Sequence, residues 1–153
     1  MPGYVILGAG YTGSRVAQAL ERRGERVVSL RASAPDALRF DVLDAATYGS
    51  VTESLEEGAR VLYSLPVLRT PEGYRATAPA PRHERERLRV DEERILREGA
   101  WSTLVLRPAA IYGPGRGVHE SMLQRRYRLP GDGRNLISRI HVDDLAAHCL
   151  AAL

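Results

Sequence analysis

The sequence predicts an α/β fold in which a parallel sheet is covered by helices. Three observations predict it. Short apolar runs alternate with helix-period stretches along nearly the whole chain. The first run, Tyr4-Val5-Ile6-Leu7, passes straight into a glycine-rich turn and then into a helical pattern. A length of 153 residues with 44% hydrophobic content suits one domain with a packed core.

Tyr4–Leu7 is apolar throughout and ends at glycine, as a strand buried on both faces does. From Tyr11 to Arg23, Val16, Ala17 and Leu20 fall at helical spacing, and Gly24 stops the helix. Arg26–Leu30 reads as a second strand and Ala37–Phe40 as a short third strand running into Asp41. Asp44–Glu57 suits a helix closed by Gly58, and Arg60–Leu65 a fourth strand. Pro66–Pro81 is rich in proline without a hydrophobic period and reads as loop. Glu84–Glu98 is a charged helix with Leu88, Ile95 and Leu96 as its apolar contacts. Ser102–Leu106 is read as a strand, Pro108–Val118 as loop and Glu120–Arg126 as a short helix. Ser138–Val142 is a strand and Asp143–Leu153 the last helix. The expected strand order is 3-2-1-4, with Ser102–Leu106 on the side of the fourth strand.

Gly8-Ala9-Gly10-Tyr11-Thr12-Gly13 matches G-x-G-x-x-G between a strand and a helix, the context in which that pattern is informative. The first glycine permits the tight turn, the second lets backbone approach a pyrophosphate, and the third lets helix and strand pack closely. Amides at a helix N-terminus, with its partial positive charge, then receive phosphates. The expected fold is therefore a Rossmann-type doubly wound sheet that binds NAD or NADP. An NAD-selective site places an acidic residue roughly 20 residues beyond the glycines. This chain has Arg31 there, with Ser33 close by. Arginine can pair with a 2′-phosphate and stack on adenine, which favours NADP. The alternative is one more surface arginine in an arginine-rich chain.

The net charge is +3, and all 22 basic Lys/Arg-type residues are arginine. They are interleaved with acids, as in Arg82-His83-Glu84-Arg85-Glu86-Arg87, a pattern of solvated helix faces rather than of nucleic-acid binding. The near absence of Asn and Gln fits a thermophile or a GC-rich genome equally. The N-terminus lacks the basic flank and cleavage site of a signal peptide, and no apolar run reaches membrane-spanning length. A single cysteine, Cys149, fits a reducing compartment. The expectation is a cytoplasmic protein with a small-molecule substrate, no metal, and no membrane or nucleic-acid partner.

Four segments occur in order: Gly8–Gly13, Phe40–Asp44, Leu106–Arg116 (LRPAAIYGPGR) and Ile140–Ala146 (IHVDDLA). Together they resemble the extended short-chain dehydrogenases, the NAD-dependent epimerase/dehydratase family. The likeness is greatest to its atypical, nucleoside-diphosphate-sugar epimerase-like members. The resemblance implies adenine contacts near Asp41 and Val42. It also implies cofactor contacts at Ser64, Leu65 and Pro66, and nicotinamide-side contacts near Pro108 and Ala109. His141, Asp143 and Asp144 are catalytic residue types, but the resemblance favours a structural role for them. Tyr112 is favoured as loop packing over a proton donor.

Two departures from the family pattern stand out. The family's Tyr-x-x-x-Lys pair belongs on the helix over Glu84–Glu98. Aligning Glu93 with the family's glutamate puts Arg85 and Arg89 at those two positions, and the chain has no lysine. Arginine stays protonated and is a poor general acid or base, so the catalytic residues stay unknown, while Arg89 keeps the capacity to bind ribose or phosphate. Second, only 18 residues separate Leu65 from Glu84, against the roughly 30 of a βαβ unit. The fifth-strand unit, where the family carries a catalytic Ser/Thr, is therefore absent. Most of the substrate domain is expected to be lacking from these 153 residues too, with a short remnant of it around residues 114–141, either in a truncated protein or in a sequence that omits segments of a longer one. A missing strand leaves edges that invite homodimerisation. The functional expectation is an NADP-preferring, epimerase/dehydratase-like oxidoreductase. The alternative is a non-catalytic NADP-binding sensor.

Overall fold

The first strand, β1 (Tyr4–Leu7), places Tyr4, Val5 and Ile6 in the interior one after another. Successive strand residues point to opposite faces, so consecutive burial means that both faces of β1 are covered, as at the centre of a parallel sheet. The computed structural model describes residues 3–34, 38–41, 44–65, 68–70, 73–75, 84–99, 101–129, 132–134 and 136–153. The side chains of 68–70, 73–75, 84–89 and 92 lie outside that description.

Helix α1 (Gly13–Arg22) follows β1 and buries Gly13, Val16, Ala17 and Leu20, the stripe its spacing dictates. Strands β2 (Val27–Leu30) and β3 (Arg60–Tyr63) flank β1, both parallel to it, in the order β2-β1-β3. Between them lie a 3₁₀ turn over Ala45–Thr47 and the short helix α2 (Gly49–Ser54). After β3, β4 (Leu68–Thr70) and β5 (Gly73–Arg75) form an antiparallel pair, and α3 runs over Glu84–Glu98. Strand β6 (Ala110–Tyr112), helix α4 (Val118–Leu123), strand β7 (Arg139–His141) and helix α5 (Val142–Ala152) complete the chain. β6 and β7 form their own parallel pair.

The core sits where α1 and α5 pack together over the sheet. Tyr4, Ile6, Val16, Leu20, Leu145, Ala146 and Cys149 form its centre, and Ile111 and Ile140 of the β6–β7 pair pack against it. The α/β Rossmann-type architecture expected from the sequence is thus present, with a reduced sheet. Among the described residues, no helix is long and apolar enough to cross a membrane.

Five local expectations need correction. The third strand shrinks to a single parallel bridge, Arg31 to Arg39, because the chain turns at once. There the Thr47 hydroxyl bonds the Asp41 and Asp44 carbonyls, and Phe40 packs on Tyr48. The helix expected over Asp44–Glu57 breaks into the 3₁₀ turn and α2. Asp44 accepts from the Ala46 amide and Thr47 bonds backward, so local side-chain bonds compete with the helical ladder. Part of the Pro66–Pro81 loop is the β4–β5 pair, held by backbone pairing over three residues a side and therefore without a hydrophobic period. Within Pro108–Val118, Ala110–Tyr112 is strand, and the helix expected at Glu120 starts at Val118.

The largest correction is Ser102–Leu106, which forms no strand and does not pair with β3. Instead the segment is tied back to α3: Trp101 Nε1 and the Thr103 hydroxyl both donate to the Leu96 carbonyl, at 2.5 and 2.8 Å. Strand propensity expresses a fit to neighbours. This segment has no partner strand among the described residues, and Leu104 is left 68% exposed.

Candidate functional site

The residues of the glycine loop are placed by the end of β1 and its neighbours. Gly8 N and Ala9 N both donate to the Leu30 carbonyl at the end of β2, and Ser64 N donates to the Leu7 carbonyl. These bonds gather the loop, the end of β2 and the residues after β3 at one edge of the sheet. In open α/β sheets ligands bind at that carboxyl edge. Gly13 lies so close to the loop that an added Cβ would stand 2.5 Å from the Gly8 carbonyl oxygen and 3.1 Å from Ile6 Cγ2. Gly10 is the opposite case. It is exposed, and its nearest contact for a Cβ is 4.0 Å away. Gly13 is thus required by the fold, whereas Gly10 keeps a space clear that the fold does not fill.

The amides of Tyr11, Thr12 and Gly13 donate to no backbone acceptor among the described residues. Thr12, at the N-cap of α1, makes no side-chain cap bond. Uncapped amides at the start of a ten-residue helix are donors of the kind that can receive an anionic oxygen. Gly8, Gly10, Tyr11, Thr12 and Gly13 lie together in the turn between β1 and α1. Ser64 and Leu65 join them: the Ser64 carbonyl and Leu65 Cδ2 lie 2.8 and 3.0 Å from where a Gly8 Cβ would stand.

Arg31 is the residue directly after the Leu30 carbonyl that anchors the loop. Its amide donates to Leu38 and its carbonyl accepts from Phe40. Its side chain is exposed and forms no ion pair among the described residues. Ser33 is exposed in the turn that follows. Asp41 is half-buried, its amide donating to the Thr47 hydroxyl at 3.0 Å. Beside the Arg31–Arg39 bridge, an open hollow of about 270 Å³ is lined by Arg39, Asp44, Ala46, Thr47 and Ser50. Arg39 is held there by Asp44 at 3.6 Å.

Val42 and Pro66 lie outside the described residues. Arg85 and Arg89 occupy adjacent turns of α3, with only their backbone described. Pro108 is exposed and Ala109 half-buried, just before β6. The segment leading to them is fixed by Arg107, which makes a two-pronged ion pair with Glu93 of α3 at 3.0 and 2.6 Å. That carboxylate raises the Arg107 guanidinium above its ordinary range, by hydrogen bond first and by charge second.

Contacts that sequence reasoning missed tie the glycine loop to the C-terminal motifs. Tyr11 Oη donates to the Pro114 carbonyl at 2.9 Å. Arg15 lies over the Tyr11 ring, donates to the Tyr11 carbonyl and pairs with Asp143 at 3.0 Å. Arg116 lies over the same ring. An added Cβ at Gly113 would stand 2.7 Å from both Tyr11 Oη and Val142 Cγ1, so the Gly113 backbone packs directly against the loop tyrosine. His141 Nδ1 accepts from Asp143 N at 3.3 Å and so caps α5, and its ring meets Tyr112 edge-on at 5.1 Å. His141 and Asp143 therefore hold α5 and α1 in place, Asp144 lies in the first turn of α5, and Tyr112 packs on His141. The Arg15–Tyr11 contact has a signal in sequence, the four-residue helical spacing. The Arg116–Tyr11 contact has none. Among the described residues, no group of three His, Cys, Asp or Glu converges as a metal site.

The chain is similar over 98% of its length to a solved structure from Methylobacillus flagellatus that carries the provisional name NAD-dependent epimerase/dehydratase. The match has a TM-score of 0.60 at 22% identity and covers 69% of that chain. At this identity the likeness establishes the fold. No protein-family profile matches the sequence, and no curated protein matches it.

Proposed function

We propose that this chain binds a nicotinamide dinucleotide, NADP in preference to NAD, as an epimerase/dehydratase-like oxidoreductase of a small metabolite or nucleotide-sugar. One observation carries the reading: the amides of Tyr11, Thr12 and Gly13, without a backbone acceptor among the described residues, directly follow Gly10 with its open Cβ position, and Arg31, without an ion pair among the described residues, directly follows the Leu30 carbonyl that anchors the loop. The amides suit a diphosphate. The guanidinium suits a 2′-phosphate, and a carboxylate there would repel it. Ser33 is a weaker second donor at that end, Asp41 and Val42 suit the adenine, and Ser64 and Leu65 border the cofactor beside Gly8, with Pro66, next in the sequence, as a further contact. Pro108 and Ala109 belong to its nicotinamide side, and Arg89 is a ribose or phosphate ligand. When bound, the dinucleotide supplies hydride chemistry; the residues of this chain hold and orient it. The name of the Methylobacillus protein supports the same class. A cytoplasmic location fits the cofactor.

Calorimetric titration with both dinucleotides tests the reading. A charge-assisted arginine–phosphate contact contributes about 1.5–3 kcal/mol. NADP is therefore expected to bind on the order of 10 to 100 times tighter than NAD. Arg31→Asp should reverse the preference, and Ser33→Ala should change it less. Equal affinities would show that Arg31 serves only the surface.

A second reading, a non-catalytic NADP-binding sensor, is favoured by the arginines at positions 85 and 89 and the lack of any lysine. Turnover of NADPH against carbonyl and nucleotide-sugar substrates separates the two. In an active enzyme, Arg85→Ala and Arg89→Ala should weaken cofactor binding at most, without removing a proton-transfer step from the pH–rate profile.

A further inference from the structure

Two guanidiniums lie over the Tyr11 ring, and they differ in what they have left to offer. Arg15, 4.4 Å from the ring centroid, is already committed to Asp143 and to the Tyr11 carbonyl. Arg116, at 5.2 Å, is exposed and forms no ion pair among the described residues.

The position of Arg116 is set by its backbone. Gly113 and Arg116 exchange amide–carbonyl hydrogen bonds of 2.9 and 3.0 Å, closing a four-residue turn. Pro114 occupies its second position and Gly115, at φ +71°, its third, the residue pattern of a type II turn. Proline restricts its own φ and glycine accepts the left-handed conformation without penalty, so the turn is preorganised. It is fastened to the glycine loop by the Tyr11 Oη to Pro114 bond. Stacking on an aromatic face leaves the edge of a guanidinium, with its N–H donors, free for a further partner.

The charge count points to that partner. A dinucleotide's diphosphate carries two negative charges, whereas a helix N-terminus offers only about half a positive charge. The chain has no lysine, and Arg15 is paired with Asp143, whereas Arg116, over the side chain of the loop tyrosine, forms no ion pair among the described residues and keeps its charge for a ligand.

We infer that Arg116 is a diphosphate-binding arm: the loop amides receive phosphoryl oxygens, and the Arg116 guanidinium, carried by the Gly113–Arg116 turn, binds the same group. The inference rests on the dinucleotide-binding reading above. It adds a residue more than a hundred positions from the glycine motif, reached through Tyr11.

The test is titration of the full chain, as wild type, Arg116→Gln and Arg116→Lys, with NADP, NAD and a UDP-sugar, alongside thermal melting of each variant. Arg116→Gln keeps the polar, unbranched character of the side chain and removes the charge. It should weaken NADP and NAD binding equally, by about tenfold or more, with an unchanged NADP:NAD ratio and an unchanged melting temperature. Arg116→Lys should recover part of the loss, because a packing role would be met better by Gln. Raising salt from about 50 to about 500 mM should narrow the gap between wild type and Arg116→Gln. If wild type binds dinucleotide and Arg116→Gln binds it equally well, the arm is refuted and the parent reading stands. If wild type binds neither dinucleotide, both fall. A loss confined to the UDP-sugar assigns Arg116 to substrate and overturns the inference.

Discussion

The region around β1, α1 and α5 and the region from Trp101 to Ile137 use similar residues to opposite effect. In the first, Ile6 and Val16 are fully buried and Leu20 is 2% exposed. In the second, Leu104 is 68%, Leu123 79% and Leu136 fully exposed. Burying one such side chain contributes about 1.5–3 kcal/mol, so the two regions hold very different shares of the folding energy. The difference teaches that apolar content makes a core only where a neighbouring element covers it. β1 has a strand on each side and helices over it. Ser102–Leu106 has no strand beside it among the described residues, and the segment is held by side-chain bonds to α3.

Paired truncations should break the comparison most sharply. Leu20→Ala should cost about 2–5 kcal/mol, and Leu104→Ala should stay within about 0.5 kcal/mol, by urea denaturation of each variant. Similar losses at both sites would mean that Leu104 is covered in solution.

The two glycines of the loop give the next contrast. Gly13→Ala should cost about 1–3 kcal/mol, because its Cβ would meet the Gly8 carbonyl at 2.5 Å. Gly10→Val should leave the denaturation midpoint nearly unchanged, since open space surrounds that position. Under the proposed function it should nevertheless abolish binding of both dinucleotides. A stable Gly10→Val variant that still binds them would place the ligand elsewhere.

A smaller effect is expected at the Arg15–Asp143 pair, whose side chains are 26% and 65% exposed. Solvent screens it, so Asp143→Asn should cost no more than about 1 kcal/mol and lose most of that effect in high salt.

The smallest effect concerns Cys149, buried between α5 and the core. Desolvation raises its thiol above the ordinary range. A thiol raised in the folded state contributes nothing to stability while both states are protonated. As pH climbs past the ordinary thiol range, the unfolded chain ionises first and stability falls slightly. The folded protein should therefore react slowly with a thiol reagent near neutral pH and fast once denatured. Equal rates in both states would contradict its burial.

Some of this was legible in the sequence because it depends on neighbours in the chain. The strand–glycine–helix unit, the buried stripe of α1 and the span of α3 follow from local period and end signals. The gathering of Gly8–Gly13, Ser64 and Leu65 at one sheet edge follows from parallel topology. The third strand and the Asp44–Glu57 helix were misread because hydroxyl and carboxylate side chains at Asp44 and Thr47 take over the backbone bonding locally. The β4–β5 pair was missed because three-residue strands are too short to show a period.

The sequence by itself determined the parallel unit around β1, the placement of the glycine loop at the start of α1, and the position of Arg31 just past β2. Those features are encoded within a turn or two of helix, or a single strand, where spacing alone sets which side chains share a face. Only the tertiary structure decided that Ser102–Leu106 is not a strand, since pairing requires a partner that no local pattern supplies. It alone decided that Arg15 is spent on Asp143 and that Arg116 comes to lie over Tyr11. Those contacts join residues more than a hundred positions apart, and they exist only because α1, α5 and the Gly113–Arg116 turn pack against one another.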